Sequence, residues 1–188
     1  MKFTRSALLL VALAAACKPA GENTAGTAMA PAAGAAAGGP VVAAVTPRFN
    51  ELAGWLVATA EQVPESLYAF KPNPAVRSLG QLVGHVANAH YLFCSGALAE
   101  PQPQLPDYEK VAGKDSLVAA LKASVAYCDK AYQISDADAM QQVTFFGDSI
   151  SRLGVLVWNA THDGEHYGNL VVYMRSNGIV PPSSQGGN

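Results

Sequence analysis

From Thr46 onward, apolar residues recur at intervals of three and four, the period of helices buried along one face, and strand-like alternation is scarce. The first run, Phe49, Leu52, Ala53, Leu56, Val57, Ala60 and Val63, follows Thr46-Pro47, a capping residue with a proline at the first helical position, and stops at Pro64. A second helix is predicted from an N-cap at Ser78 to about Ala97, with Leu79, Leu82, Val83, Val86, Phe93 and Ala97 on one side. Pro101, Pro103 and Pro106 end it and mark a long extended loop. A third helix begins near Asp115 and carries Leu117, Val118, Leu121, Val125, Ala126 and Tyr132. The fourth runs from about Ile150 to Ser176, where Asn177-Gly178 closes it and Pro181-Pro182 follows. Four helices with one apolar stripe each bury those stripes best against one another. The pattern therefore predicts an all-α four-helix bundle over residues 46–182, with 183–188 as a C-terminal tail.

Ahead of the bundle the pattern changes twice. Residues 1–17 begin with Lys2 and Arg5, continue as an apolar run from Ala7 to Ala16 and end on small residues before Cys17, which is the organisation of an export signal peptide. The run is shorter than the roughly 20 residues a permanent membrane span needs. A cysteine directly after the small residues fits the lipid-modified cysteine of a bacterial lipoprotein, although Leu13 lies four residues before it where three is usual; plain cleavage and secretion is the alternative. Residues 18–45 are dominated by Ala, Gly, Thr and Pro and read as a flexible tether. The expectation is an exported domain in the periplasm or cell envelope, touching a membrane only through a lipid on Cys17.

Charge narrows the partners. Twelve Lys and Arg against 14 Asp and Glu, with no basic cluster, offer nothing that would track a phosphate backbone, so nucleic acid is excluded as a partner. Of three cysteines, lipidation consumes Cys17 and leaves Cys94 and Cys128, an even number in a compartment where disulfides persist. Either they form a bridge, or both are buried thiols.

The candidate chemistry lies in four histidines. On a helix, His162 and His166 stand about 40° apart around the axis and about 6 Å along it, so their imidazoles can face one ion. They share a stripe with Val155, Asn159, Asn169 and Tyr173, an unusual set of polar groups for an inward face. The second helix offers a third ligand in His85 or His90. These are five residues apart, about 140° around the axis, and cannot both join one ion. Periodicity does not choose between them.

The stretch RSLGQLVGHVANAHYLF, together with THDGEHYGNLVVYMRSNGIVPP, resembles the DinB-like superfamily of four-helix bundles. In that family a histidine follows a serine-led helix start by about seven residues, as His85 follows Ser78. A second motif, H-x-x-x-H and then a residue, Gly and Gln or Asn, matches His162, His166, Tyr167, Gly168 and Asn169, and Arg175, Gly178, Pro181 and Pro182 match its ending. The resemblance implies one divalent metal ion, zinc or nickel, held by His85, His162 and His166. It also implies metal-dependent hydrolase or thiol-transferase activity in a subset of members. An exported chain departs from the cytoplasmic setting of the thiol cofactors, which weighs against thiol transfer.

Three nitrogen ligands leave a coordination position open, as catalytic sites do, and water bound there could be activated near neutral pH. Glu165 is the candidate general base, a weak one whose plainer role is solvated or supportive. H-D-G-E-H mimics the inverted zinc-protease order H-x-x-E-H, but no Asp or Glu follows His166 to complete such a site. Tyr167, Asn159 and Asn169 could orient a ligand histidine. Two functions follow as expectations: a hydrolase acting on a small molecule, or a metal-binding, stress-related envelope bundle without turnover. Bundles of this kind commonly associate as homodimers, and that assembly is open to this chain.

Overall fold

The computed structural model describes residues 38–186. The segment read as an export signal, Cys17 and all but the end of the segment read as a tether lie outside them. A helical turn, α1 (Pro40–Ala43), precedes α2 (Thr46–Gln62), which begins with Pro47 in its first turn and ends at Val63, extended ahead of Pro64. α3 (Leu79–Leu98) opens with a reciprocal cap: the Gln81 N–H donates to Oγ of Ser78 and the Ser78 N–H to Oε1 of Gln81. The proline-rich loop then leads through a short turn at 108–110 into α4 (Lys114–Ala131). A second short helix, α5 (Asp136–Ala139), precedes a hairpin of β1 (Gln142–Phe145) and β2 (Asp148–Ser151), and α6 (Arg152–Ser176) completes the bundle. Among the described residues, no helix is long and apolar enough to cross a membrane.

The four long helices form a ring in which α3 lies between α4 and α6, and α2 closes the other side against the same two. Apolar packing is divided between two ends. One is built on Phe49, Phe93, Phe145 and Leu156, the other on Leu56, Leu82, Leu121 and Leu170. Cys94 and Cys128 form a disulfide between α3 and α4 in the first of these, with Cα atoms 5.2 Å apart and both side chains fully enclosed.

Two features depart from the expected architecture. The chain is mostly helical but not all-α: the segment ahead of α6 is an antiparallel hairpin, paired from Gln142 with Ser151 to Phe145 with Asp148. Its two-residue turn, Phe146-Gly147, has φ values of 51° and 91°, the left-handed pair of a type I′ turn whose twist suits a hairpin. Asn-Gly is the usual occupant; a phenylalanine in that conformation costs about 1 to 2 kcal/mol. Ser151, the last hairpin residue, then caps α6 by accepting from the Gly154 N–H. The second departure is α1, which lies in the segment read as tether. Val42 is fully buried there, and the Asp136 carboxylate accepts from the Val41 and Val42 N–H groups at 3.1 Å.

Candidate metal centre

His162 and His166 stand one turn apart on α6, and His85 faces them from α3. Ring centroids are 4.2 Å apart for His162 and His166, 4.7 Å for His85 and His166, and 5.2 Å for His85 and His162. One nitrogen of each ring lies within 4.8 Å of the others, and the two Nε2 atoms of His162 and His166 are 3.0 Å apart. Three nitrogens bound tetrahedrally at about 2.0 to 2.1 Å from one ion would be about 3.3 Å from one another, which small side-chain rotations reach from here. The three histidines are close enough to hold one metal ion.

The charge state of His162 and His166 suits the task. Burial, then the neighbouring imidazoles of His166 and His85, pushes His162 down from the usual 6.5 to about 4. Burial, then His85 and Arg77, pushes His166 down to about 4 as well. Neutral imidazole is the ligating form, so at neutral pH both rings present lone pairs.

His85 is oriented from outside. Its Nδ1 lies 2.6 Å from Oε1 of Glu109, whose other oxygen accepts from Nε of Arg77 at 2.9 Å. With Nδ1 engaged, Nε2 is the nitrogen left for an ion, the carboxylate–histidine arrangement that fixes tautomer and ring direction in metal sites. Burial acts to raise the Glu109 carboxyl, but hydrogen bonds from Arg77 and His85 outweigh it and hold the group below the ordinary carboxylate range. Glu109 can reach because residue 84 is glycine: a Cβ there would sit 2.2 Å from the Tyr108 carbonyl oxygen. Asn88 secures the same turn one helical turn later, accepting from the Tyr108 N–H at 3.0 Å and donating to Asp107 at 2.8 Å.

The structure places the other sequence-derived candidates apart from this cluster, with one exception. The Asn169 amide lies 3.4 Å from Nδ1 of His166. Asn159 donates to the Tyr132 hydroxyl and Tyr167 accepts from the Ser183 N–H, so neither orients a ligand histidine. Glu165 is exposed on the wall of a cleft of about 690 Å³ that also takes in Arg77 and His166. His90 is fully buried, its Nδ1 2.9 Å from Oγ of Ser124 and its Nε2 2.9 Å from Oδ1 of Asp163. That contact ties α3, α4 and α6 together inside the bundle. Arg77, Gly84 and Glu109 were not legible as site residues, nor Asp163 as the partner of His90. A carboxylate in a proline-rich loop carries no periodicity, and Asp163, one residue past His162, projects about 100° away into the core.

The fold is a ring of four helices that brings three imidazoles within reach of one ion, and comparison with known proteins agrees on the fold. The model of the DinB superfamily matches residues 48–170. The chain belongs to that superfamily. Solved structures share the architecture at low identity. A DinB-like protein from Bacillus cereus ATCC 10987 is 18% identical with a TM-score of 0.65, covering 73% of this chain and 93% of its own. A DinB-like protein from Bacillus subtilis is 21% identical with a TM-score of 0.58, covering 77% and 99%. A conserved protein from Enterococcus faecalis is 19% identical with a TM-score of 0.59, covering 71% and 94%. No curated protein matches the sequence.

Proposed function

We propose that this protein is an exported member of the superfamily that holds one divalent metal ion, zinc or nickel, through His85, His162 and His166 and hydrolyses a small-molecule substrate. One observation carries the reading: two imidazoles kept neutral by burial converge with a third that a carboxylate holds in the ligating orientation. A divalent ion held by three nitrogens supplies Lewis acidity and lowers the pKa of water at its open position. The chain's own residues do the rest. Glu109 keeps Nε2 of His85 turned inward, Asn169 steadies His166, and Glu165, on the cleft wall beside His166, is the carboxylate placed to accept a proton. The sequence of residues 1–17, read as an export signal ending at Cys17, supports an activity in the periplasm or cell envelope, as a monomer or homodimer at the end of a tether.

A second reading, an envelope bundle that holds metal without turnover, has an observation in its favour. The carboxylate nearest the histidines, Glu109, is committed to His85 and Arg77, and Glu165 is on the exposed rim.

Elemental analysis of the purified protein beside His85→Ala and His162→Ala tests the centre. About one equivalent of metal, lost in both variants, is expected; none in the parent after reconstitution with Zn or Ni sinks the proposal. Hydrolysis of activated esters, amides or phosphoesters that disappears in Glu165→Gln while the metal remains would separate the enzyme from the holder.

A further inference from the structure

On the side of His85 and His162 the cluster opens into a second cavity of about 450 Å³, separated by Glu109 from the cleft beside His166. Its walls are apolar and aromatic: Leu92 and Phe93 from α3, Trp158 from α6 and Phe146 from the hairpin turn. The ring of Phe93 is 5.3 Å from that of His162 and 5.7 Å from that of Trp158, and Trp158 is 5.4 Å from Phe146. A continuous aromatic surface thus runs from the exposed hairpin tip down to a histidine of the metal centre.

Two of these side chains are poorly accounted for by folding. Phe93 is buried, but Phe146 is 64% exposed and Trp158 41% exposed. The hairpin is seated by its other phenylalanine, Phe145, which is buried against α3 where Gly96 makes room; a Cβ at Gly96 would meet the Phe145 ring at 2.8 Å. Phe146 is therefore not needed to seal the core, yet it occupies a left-handed turn position that disfavours a bulky residue. Backbone held in a disfavoured region to display an exposed aromatic beside a cleft points to a ligand. Of the polar side chains on the wall, Asn88 is engaged by Tyr108 and Asp107 and Glu109 by His85 and Arg77, so the ring faces, with Gln102 at the side, form the recognition surface. A cavity of this size takes a one- or two-ring group.

We propose that this cavity is the subsite for an aromatic group of a small-molecule substrate, whose polar, reacting end lies at the three histidines. The placement of that end rests on the metal-centre reading above; the ring subsite rests on the aromatic walls alone. Selection of substrate would then belong to Phe146 and Trp158, and the chemistry to the helices.

The test uses the full chain, reconstituted with Zn, and two metal-seeking probes that differ in one ring, acetohydroxamate and benzohydroxamate, titrated by calorimetry. Benzohydroxamate should bind about tenfold more tightly, and Phe146→Ala and Trp158→Ala should each remove most of that preference while leaving acetohydroxamate unchanged. Equal affinity for both probes in the parent would overturn the subsite and leave the metal centre standing. Failure of both probes would count against the metal centre alone, so a second arm follows the Trp158 indole N–H by NMR in metal-free protein during titration with benzyl alcohol. A saturable shift, lost in Phe146→Ala, supports the subsite whether or not metal binds; no shift overturns it. A Trp158 shift that instead follows protein concentration with no probe present would make the cavity a contact between two copies of the chain and overturn the small-molecule assignment.

Discussion

Glu109 meets His85 through one contact of 2.6 Å, and its consequence depends on what that contact prevents. Without it, the imidazole of His85 could rotate or take the other tautomer, and Nε2 would no longer be committed to the cluster. Carboxylates in this supporting role typically alter metal affinity by about 10- to 100-fold. Glu109→Gln, which retains an acceptor but loses the charge, should fall toward the lower end of that range and Glu109→Ala toward the upper; competition with a chromophoric chelator measures both. Protons act on the same site. His162 and His166 titrate at about 4 in the fold against the usual 6.5, so between those values the unfolded chain binds more protons than the native one. The resulting loss of stability in metal-free protein is absent above about pH 6.5, sets in as pH falls and is complete near pH 4. Denaturant midpoints of chelator-treated protein from pH 7 to pH 4 should decline accordingly, and His162→Gln should flatten the slope. At this scale the sequence showed which residues could ligate. It could not show that His90 would be spent on Ser124 and Asp163, because that depends on which faces of three helices meet.

The elements that carry the site depend on close backbone approach as much as on side chains. Gly84 lets the 108–110 turn lie directly on α3, one residue from His85. A methyl group at 2.2 Å from a carbonyl oxygen cannot be accommodated in place, so Gly84→Ala should force the turn outward. Destabilisation of about 1 to 3 kcal/mol is expected from the overpacking, together with the weakened metal binding of a Glu109 variant. Chemical denaturation and the chelator assay read the two effects separately; stability loss with metal affinity intact would show that Glu109 follows α3 through the displacement. The long helices were legible because their stripes are long and their ends marked: Pro47 in the first turn of α2, Ser78 as the cap of α3, and Asn177-Gly178 after α6, although the cap of α2 is Val45 and not Thr46. The hairpin was not. Each strand has four residues, too few for alternation to stand out, and the turn carries Phe-Gly where Asn-Gly would have announced it. The helical turn at Pro40 was hidden for a related reason, since four residues in an Ala- and Gly-rich stretch give no periodicity, and their anchor, Asp136, lies 95 residues away from Val41.

Across the whole molecule, the ring of four helices places the three clustered histidines on two neighbouring helices, α3 and α6, while their support comes from the loop that connects α3 to α4. That loop is also enclosed by the disulfide. The bond between Cys94 and Cys128 spans 34 positions and turns the end of α3, the proline-rich loop, Glu109 and most of α4 into a closed covalent circuit. A protease that cuts at the exposed segment 101–106 would open the backbone without dividing the molecule. The nicked protein should run as one species on a non-reducing gel and as two fragments after reduction. Because Tyr108 and Asp107 remain pinned to Asn88, the cut form, loaded with Zn, should also retain the ion until the disulfide is broken. If the domain works outside the cell's reducing interior, as proposed above, such a circuit would turn a severing event into a scar.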